Sequence, residues 1–247
     1  MRRPALALTL LLASLAMAIP ASAITYGSPD GDAHPNVGGL VAPVAYSDGT
    51  WIYCSGTLIS PTVFLTAAHC GDAAVERVRV TFDKAYVDGD QVYAGTFYAN
   101  PAYTQKQSDP HDVAVVVFDK AVKGIAPARL PAAGSLSNLS SDQQFTSVGY
   151  GAYAFYRGGF LYDDVRMVAT GTLYTINAAW LRISMNPALG DGGTCYGDSG
   201  GPNFLGTTDI IAGTTITGDD ACRSTNVDYR LDTSSARTFL AGYVTLP

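Results

Sequence analysis

The chain has 247 residues and carries 15 basic against 21 acidic side chains, a formal net charge of −6. Hydrophobic and aromatic residues make up 47% of it, enough apolar surface for a substantial packed core, which excludes a disordered chain. The acidic balance, with no basic run, excludes nucleic acid and anionic membrane surfaces as expected partners.

The first 23 residues, MRRPALALTLLLASLAMAIPASA, have the layout of a secretory signal peptide. Two arginines precede an apolar run from Ala5 to Ile19, and Pro20 leads into the small-residue cleavage site Ala21, Ser22, Ala23. The run is short for a membrane anchor, so a secreted, extracellular protein with no membrane contact after signal cleavage is expected. Cleavage would leave 224 residues with 13 basic and 21 acidic side chains, a net charge of −8. Four cysteines, Cys54, Cys70, Cys195 and Cys222, point in an exported chain to two disulfides, with three pairings open.

From there the chain alternates short β-rich runs with Gly, Pro, Asn and Asp. VGGLVAPVAY, WIYCSGTLIS, TVFLTAAH, VRVTF, QVYAGTFY and VAVVVF come first, then QFTSVGYGAY, VRMVATGTLYTI, WLRISM, DIIAGTTIT and VDYRL. Strands this short and this evenly punctuated predict an all-β protein, not βαβ units. PARLPAAG, Pro127 to Gly134, marks a seam about midway. The expected division is a signal peptide over 1–23, an N-terminal β-barrel over 24–127 and a C-terminal β-barrel over 128–247. A short C-terminal helix is predicted in DTSSARTFLAGYV, where Asp232 to Ser234 offer caps and Ala236, Phe239, Leu240 and Tyr243 fall near one face. No internal repeat is visible, and SLSNLSSDQQ reads as a polar loop whose sequon at Asn138 is a chance match.

The chemistry concentrates in CYGDSGGP, Cys195 to Pro202, where Ser199 is boxed in by glycines behind Asp198. Glycines around one serine suggest a close backbone approach. Gly197 to Gly201 also satisfies G-x-S-x-G, but an α/β-hydrolase elbow needs its histidine after the serine. The three histidines, His34, His69 and His111, all precede Ser199, so that reading fails on chain order. A serine nucleophile needs a neighbouring base, and the base an acidic orienter. TAAHC supplies His69 and HDVAVVVF supplies Asp112 in the order His, Asp, Ser. His111, between acidic neighbours, lacks the ligand set for zinc and reads as a loop histidine.

With those pieces in place the sequence resembles the chymotrypsin/trypsin family of secreted serine endopeptidases, of bacterial type. The resemblance is carried by CSGTLISPTVFLTAAHC (Cys54 to Cys70), HDVAVV (His111 to Val116), SVGYG (Ser147 to Gly151) and CYGDSGGP, in one order across almost the entire chain after the signal. It implies two six-stranded antiparallel β-barrels packed together with the short C-terminal helix. It implies Ser199 as nucleophile, His69 as general base and then acid, and Asp112 as orienter. The N–H groups of Gly197 and Ser199 would form the oxyanion hole. It pairs Cys54 with Cys70 and Cys195 with Cys222, the third disulfide common in the family being absent. It also implies an activating terminus, an amine that pairs with Asp198. Here the residue at the signal cleavage site is Ile24, so the expected pair is Ile24 with Asp198.

Further expectations follow from the resemblance. The specificity pocket would involve Gly193, Thr194, Gly218 and either Val227 or Asp228. Val227 inward would favour small or apolar substrate side chains, whereas Asp228 inward would accept Lys or Arg; the apolar preference is favoured. Thr214 or Thr215 stands where a serine usually supports the orienting aspartate. No metal and no cofactor are expected. The expected partners are polypeptide substrates and proteinaceous inhibitors, and the chain is expected to be a monomer. Two other functions compete: a non-catalytic binding protein on a protease-like fold, and an esterase with little proteolytic activity.

Overall fold

A computed structural model describes residues 24–105 and 108–247; the expected signal peptide lies outside the described residues. The N-terminal segment contributes β1 (Ser28–Pro29). The first barrel then takes β2 (Val37–Val41), β3 (Ile52–Ser60), β4 (Val63–Thr66), β5 (Val75–Thr81), β6 (Tyr93–Ala99) and β7 (Ala114–Phe118). These close into a ring in the order β2-β3-β4-β7-β6-β5. The β2 to β5 pairing, Leu40 opposite Val80, completes it.

The chain from Phe118 to Gln144 carries no strand. The second barrel takes β8 (Gln144–Gly149), followed by an outlying hairpin of β9 (Ala154–Tyr156) and β10 (Gly159–Leu161). It continues with β11 (Met167–Ile176), β12 (Trp180–Ser184), β13 (Pro202–Leu205), β14 (Ile211–Gly218) and β15 (Thr225–Arg230). β8 pairs with both β11 and β13, so these six strands also close on themselves. Both rings are antiparallel, as the resemblance implies. β1 lies early in the chain yet pairs with β11 of the second barrel, Ser28 opposite Val168.

The short strands fold this way because their apolar faces need partners on all sides. β4 and β7 are apolar runs, VFLT and AVVVF, and almost every residue in them is buried. Aromatic rings of Phe64, Phe82, Tyr93 and Phe118 fill the first barrel edge to face, the geometry their quadrupoles prefer. That core runs on into Val148, Phe204, Ile211 and Tyr229 of the second barrel. α1 (Ser234–Leu240) starts at Thr233, whose hydroxyl accepts from the Ala236 amide at 3.2 Å. Its Ala236 and Leu240 are buried in the same core, and Phe239 and Tyr243 pack against it. The predicted helical face is therefore the buried one. Among the described residues no helix is long and apolar enough to cross a membrane.

A buried cation fastens the barrels at one point. Arg166, 1% exposed, donates from Nε to Asp30 at 2.9 Å and from its terminal nitrogens to the carbonyls of Gly31, Val37 and Phe82. His34 reaches the other oxygen of Asp30 and stacks on Phe204. Burial pushes the Asp30 carboxyl up, but hydrogen bonds from His34 and Arg166 outweigh it and hold it below the ordinary carboxylate range. Removing one member of such a pair strands the other charge. Arg166→Ala is expected to cost about 3–5 kcal/mol, read as a lower midpoint in urea unfolding.

Candidate active site

β4 delivers the chain into a short turn, Ala68–Cys70, that carries His69, while Asp112 sits two residues before β7. β4 and β7 are adjacent strands, Thr66 opposite Ala114, so their ends bring the two side chains together. Asp112 spends both oxygens on the same residue. Oδ1 accepts from the His69 amide at 3.0 Å, and Oδ2 bonds the ring at Nδ1 at 2.8 Å. With Nδ1 held, Nε2 is the ring nitrogen left for proton exchange. Neither Thr214 nor Thr215 bonds Asp112. The Thr215 hydroxyl is held by Asn203 and Asp228, and the Thr214 hydroxyl is buried with no partner among the described residues.

Ser199 stands on a loop of the second barrel, between β12 and β13. Its carbonyl accepts from the Ser55 amide in β3 at 2.8 Å, and the next amide, Gly200, donates to Thr215 in β14 at 2.7 Å. The Ser55 hydroxyl donates to the Gly197 carbonyl and accepts from the Tyr150 amide, each at 3.0 Å. The loop is thus fastened to both barrels. Ser199 and His69 line one cavity of about 790 Å³ that also takes in Gly197, Thr194 and Gly218.

The amides of the loop divide in two. Those of Asp198, Gly200 and Gly201 donate to Cys195, Thr215 and Asp198 carbonyls, whereas those of Gly197 and Ser199 have no acceptor among the described residues. Gly197 has φ of 96°, a conformation a residue with a Cβ resists. Two amides without acceptors among the described residues, on residues that line a cavity together with His69, can hold an oxygen that gains negative charge.

Between them Asp198 turns inward and is 0% exposed. It accepts from the amides of Gly151 and Cys195, each at 2.8 Å. A Cβ at Gly149 or Gly151 would overlap this carboxylate, which is why SVGYG needs its glycines. Burial, only partly offset by those two bonds, pushes the Asp198 carboxyl up to about 7. No cation reaches it among the described residues. Ile24 is also 0% exposed and packs with Met167 and Ala169, and Thr25 bridges to Gly193, five residues before Asp198. No hydrogen bond joins Ile24 to Asp198 in this uncut chain.

The other expected residues divide as well. Cys54 is bonded to Cys70 and Cys195 to Cys222, as the resemblance implies. The sulfurs beside His69 are therefore spent in a disulfide and offer no thiolate to a metal. Thr194 and Gly218 line the cavity; Gly193, Val227 and Asp228 do not. Asp228 is wholly buried, and its Oδ1 accepts from Asn203, Asn226 and Thr215. Burial raises its carboxyl well above the ordinary range despite those bonds. His111 is tied to the Ser235 hydroxyl at 2.7 Å, the structural loop histidine its sequence context suggests. Sequence reasoning missed Ser55 as a brace. It lies inside the matched segment CSGTL, but nothing local announces that its hydroxyl would meet Gly197.

The family model described as Trypsin matches residues 31–239. A trypsin of Phaedon cochleariae is 27% identical over 221 residues, covering 78% of this chain and 83% of its own. Trypsin, alkaline C of Manduca sexta is 31% identical over 176 residues, 61% of this chain and 64% of its own. Thrombin-like enzyme acutin of Deinagkistrodon acutus is 26% identical over 64% of this chain and 71% of its own. The expected bacterial type finds no support in these insect and snake relatives. The solved structure of HL collagenase superposes with a TM-score of 0.69 at 19% identity, covering 90% of this chain and all of that one, a likeness of fold.

The Cys54–Cys70 bond closes a loop of 16 residues around the turn that carries His69. Replacing both cysteines by serine is expected to cost about 3 kcal/mol in urea unfolding.

Proposed function

The chain belongs to the trypsin family and is a serine endopeptidase; we propose that it cuts polypeptides through Ser199, His69 and Asp112 with an acyl-enzyme intermediate. The observation that carries this is the pair of amides without acceptors among the described residues, at Gly197 and Ser199, which line the cavity together with His69. Ser199 Oγ attacks the scissile carbonyl while His69 Nε2 takes its proton, and Asp112 holds the ring through Nδ1 and steadies the imidazolium. The oxyanion forms against the two amides, a term worth roughly 3 kcal/mol per donor. His69 returns the proton to the leaving amine, which departs and leaves the acyl group on Ser199. Water, deprotonated by His69, then releases the acid.

The proposal extends to export and activation. Removal of residues 1–23 makes Ile24 the first residue of a secreted, extracellular enzyme, and its new ammonium pairs with Asp198. The burial of Ile24, the bridge from Thr25 to Gly193 and the unpaired buried carboxylate all support this. Uncut, the folded chain keeps a proton on Asp198 that the unfolded chain loses above about pH 4. Its stability therefore falls as pH rises from about 4 to about 7, and the ammonium of the cut chain offsets that loss.

Two outcomes are expected. Ser199→Ala abolishes labelling by a covalent serine probe, and Asp112→Asn lowers kcat on a peptide substrate about 10⁴-fold with an unchanged circular dichroism spectrum. A probe that leaves the wild type unlabelled would instead favour the non-catalytic binding protein, and ester turnover without peptide turnover the esterase.

Fusing residues ahead of Ile24 is expected to lower kcat/KM at least about 100-fold, because an unpaired buried charge costs about 3 kcal/mol or more. The fused form should also lose thermal stability between pH 4 and 7 relative to the cut form. Full activity of the fusion would refute the Ile24–Asp198 pair.

A further inference from the structure

If Ser199 is the nucleophile, the substrate side chain preceding the cut meets the second-barrel wall of the cavity that Ser199 lines. The residues of this wall that line the cavity include Thr194, Ile216, Thr217, Gly218 and the Cys195–Cys222 disulfide. Gly193, which the resemblance places in the specificity pocket, is buried and outside the cavity. Two contacts explain why. Its amide donates to the Thr25 carbonyl at 3.0 Å, which fixes the backbone from one side. Along the direction a side chain at 193 would take stands Met185: a Cβ there would overlap Met185 Cγ and come within 2.5 Å of Sδ.

Met185 follows β12, is 0% exposed, and is anchored by its amide to the Ser224 carbonyl at 2.9 Å. The space that a deep pocket would need is occupied by a thioether. The one carboxylate that sequence reasoning placed near a floor, Asp228, faces the buried amides of Asn203 and Asn226. Among the described residues the acidic groups on this side are Asp219 and Asp220. Asp219 already accepts from the amides of Arg223, Ser224 and Thr225.

We propose that Met185, lying under Gly193, is a specificity-determining residue that keeps this pocket shallow, so that the enzyme cuts after small uncharged residues such as Ala, Ser, Thr and Val. This rests on Ser199 being the nucleophile. A side chain of that size needs no depth beyond the wall that Thr194 and Thr217 help form, whereas a Lys, Arg or Phe side chain needs depth that Met185 fills. Methionine suits the role because its unbranched thioether adapts to an irregular gap.

The test is a peptide library varied at the residue before the cut, run on the mature enzyme, with active sites counted by a covalent serine probe. The wild type should cut after Ala at least tenfold better, in kcat/KM, than after Phe, Lys or Arg. Met185→Ala should raise the Phe-to-Ala and Leu-to-Ala ratios at least tenfold per labelled site, while Met185→Leu, which preserves volume, keeps the wild-type ranking. If Met185→Ala yields no labelled protein, Met185→Val takes its place, with a smaller shift in the same direction. A labelled wild type that prefers Phe, Lys or Arg overturns the proposal and leaves the hydrolytic mechanism intact; preference for Lys or Arg would assign it to Asp219 or Asp220. Unchanged ratios in labelled Met185→Ala overturn the role of Met185 alone. A wild type that the probe does not label overturns the underlying mechanism.

Discussion

A buried carboxylate organises the end of this molecule that carries Ser199. Asp198 has no exposed surface, and ionised groups in such surroundings are costly unless paired. Its partners among the described residues are two backbone amides, Gly151 and Cys195, and these do not balance the burial, so the carboxyl rests near 7 instead of below 4. Because its side chain is directed inward, the peptide groups on either side must turn. The turn puts Gly197 at positive φ and leaves the amides of 197 and 199 without internal acceptors. The glycines at 149 and 151 follow from the same constraint, since any side chain there would enter the space the carboxylate fills.

The second organising feature is the set of polar joints between barrels that share one apolar core. Ser55 bonds the Ser199 loop through both its backbone and its hydroxyl, and Arg166, just ahead of β11, holds Asp30 and the carbonyls of Gly31, Val37 and Phe82. Apolar packing by itself tolerates sliding; hydrogen bonds in a buried setting select one arrangement, because every misplaced partner leaves a stranded polar group. The arrangement matters here because His69 and Asp112 come from one barrel and Ser199 from the other. The His69 to Asp112 geometry, by contrast, is internal to the first barrel, set by the neighbouring strands β4 and β7 and by a disulfide at Cys70.

Several of these features were visible in short stretches of sequence. TAAHC, HDVAVV and CYGDSGGP are local, ordered and rich in rare residues, so Ser199, His69 and Asp112 could be proposed before any fold was known, while the pairing of the four cysteines came only from the family resemblance. The C-terminal helix was equally visible, since its cap and apolar face lie within a dozen residues. Arg166, Met185 and the hydroxyl of Ser55 carried no such signal. Each sits in an ordinary strand-like run; the partners of Ser55 and Arg166 lie far away in the chain, Gly197 for the first and Val37 and Phe82 for the second, and Met185 meets Gly193 only through the fold of the loop between them.

The sequence by itself determined the all-β class and cysteines enough for two disulfides, and it proposed the residues of the site, because turn residues, cysteine content and compact motifs are one-dimensional information. Tertiary structure decided how strands join. Both barrels pair their six strands in the same relative order, first-second-third-sixth-fifth-fourth, although no repeat is visible in the sequence. It also decided the pocket. Successive strand residues point to opposite faces, so whether Val227 or Asp228 faced the substrate depended on register, Leu181 and Thr215 opposite Asp228, and on the bulge beside Thr215. The outcome was neither: Asp228 turned to Asn203 and Asn226, Val227 stayed outside the cavity, and a methionine from the end of β12 came to lie under Gly193. Hydrophobic patterning states that a residue should be buried, but only the packed structure states against what.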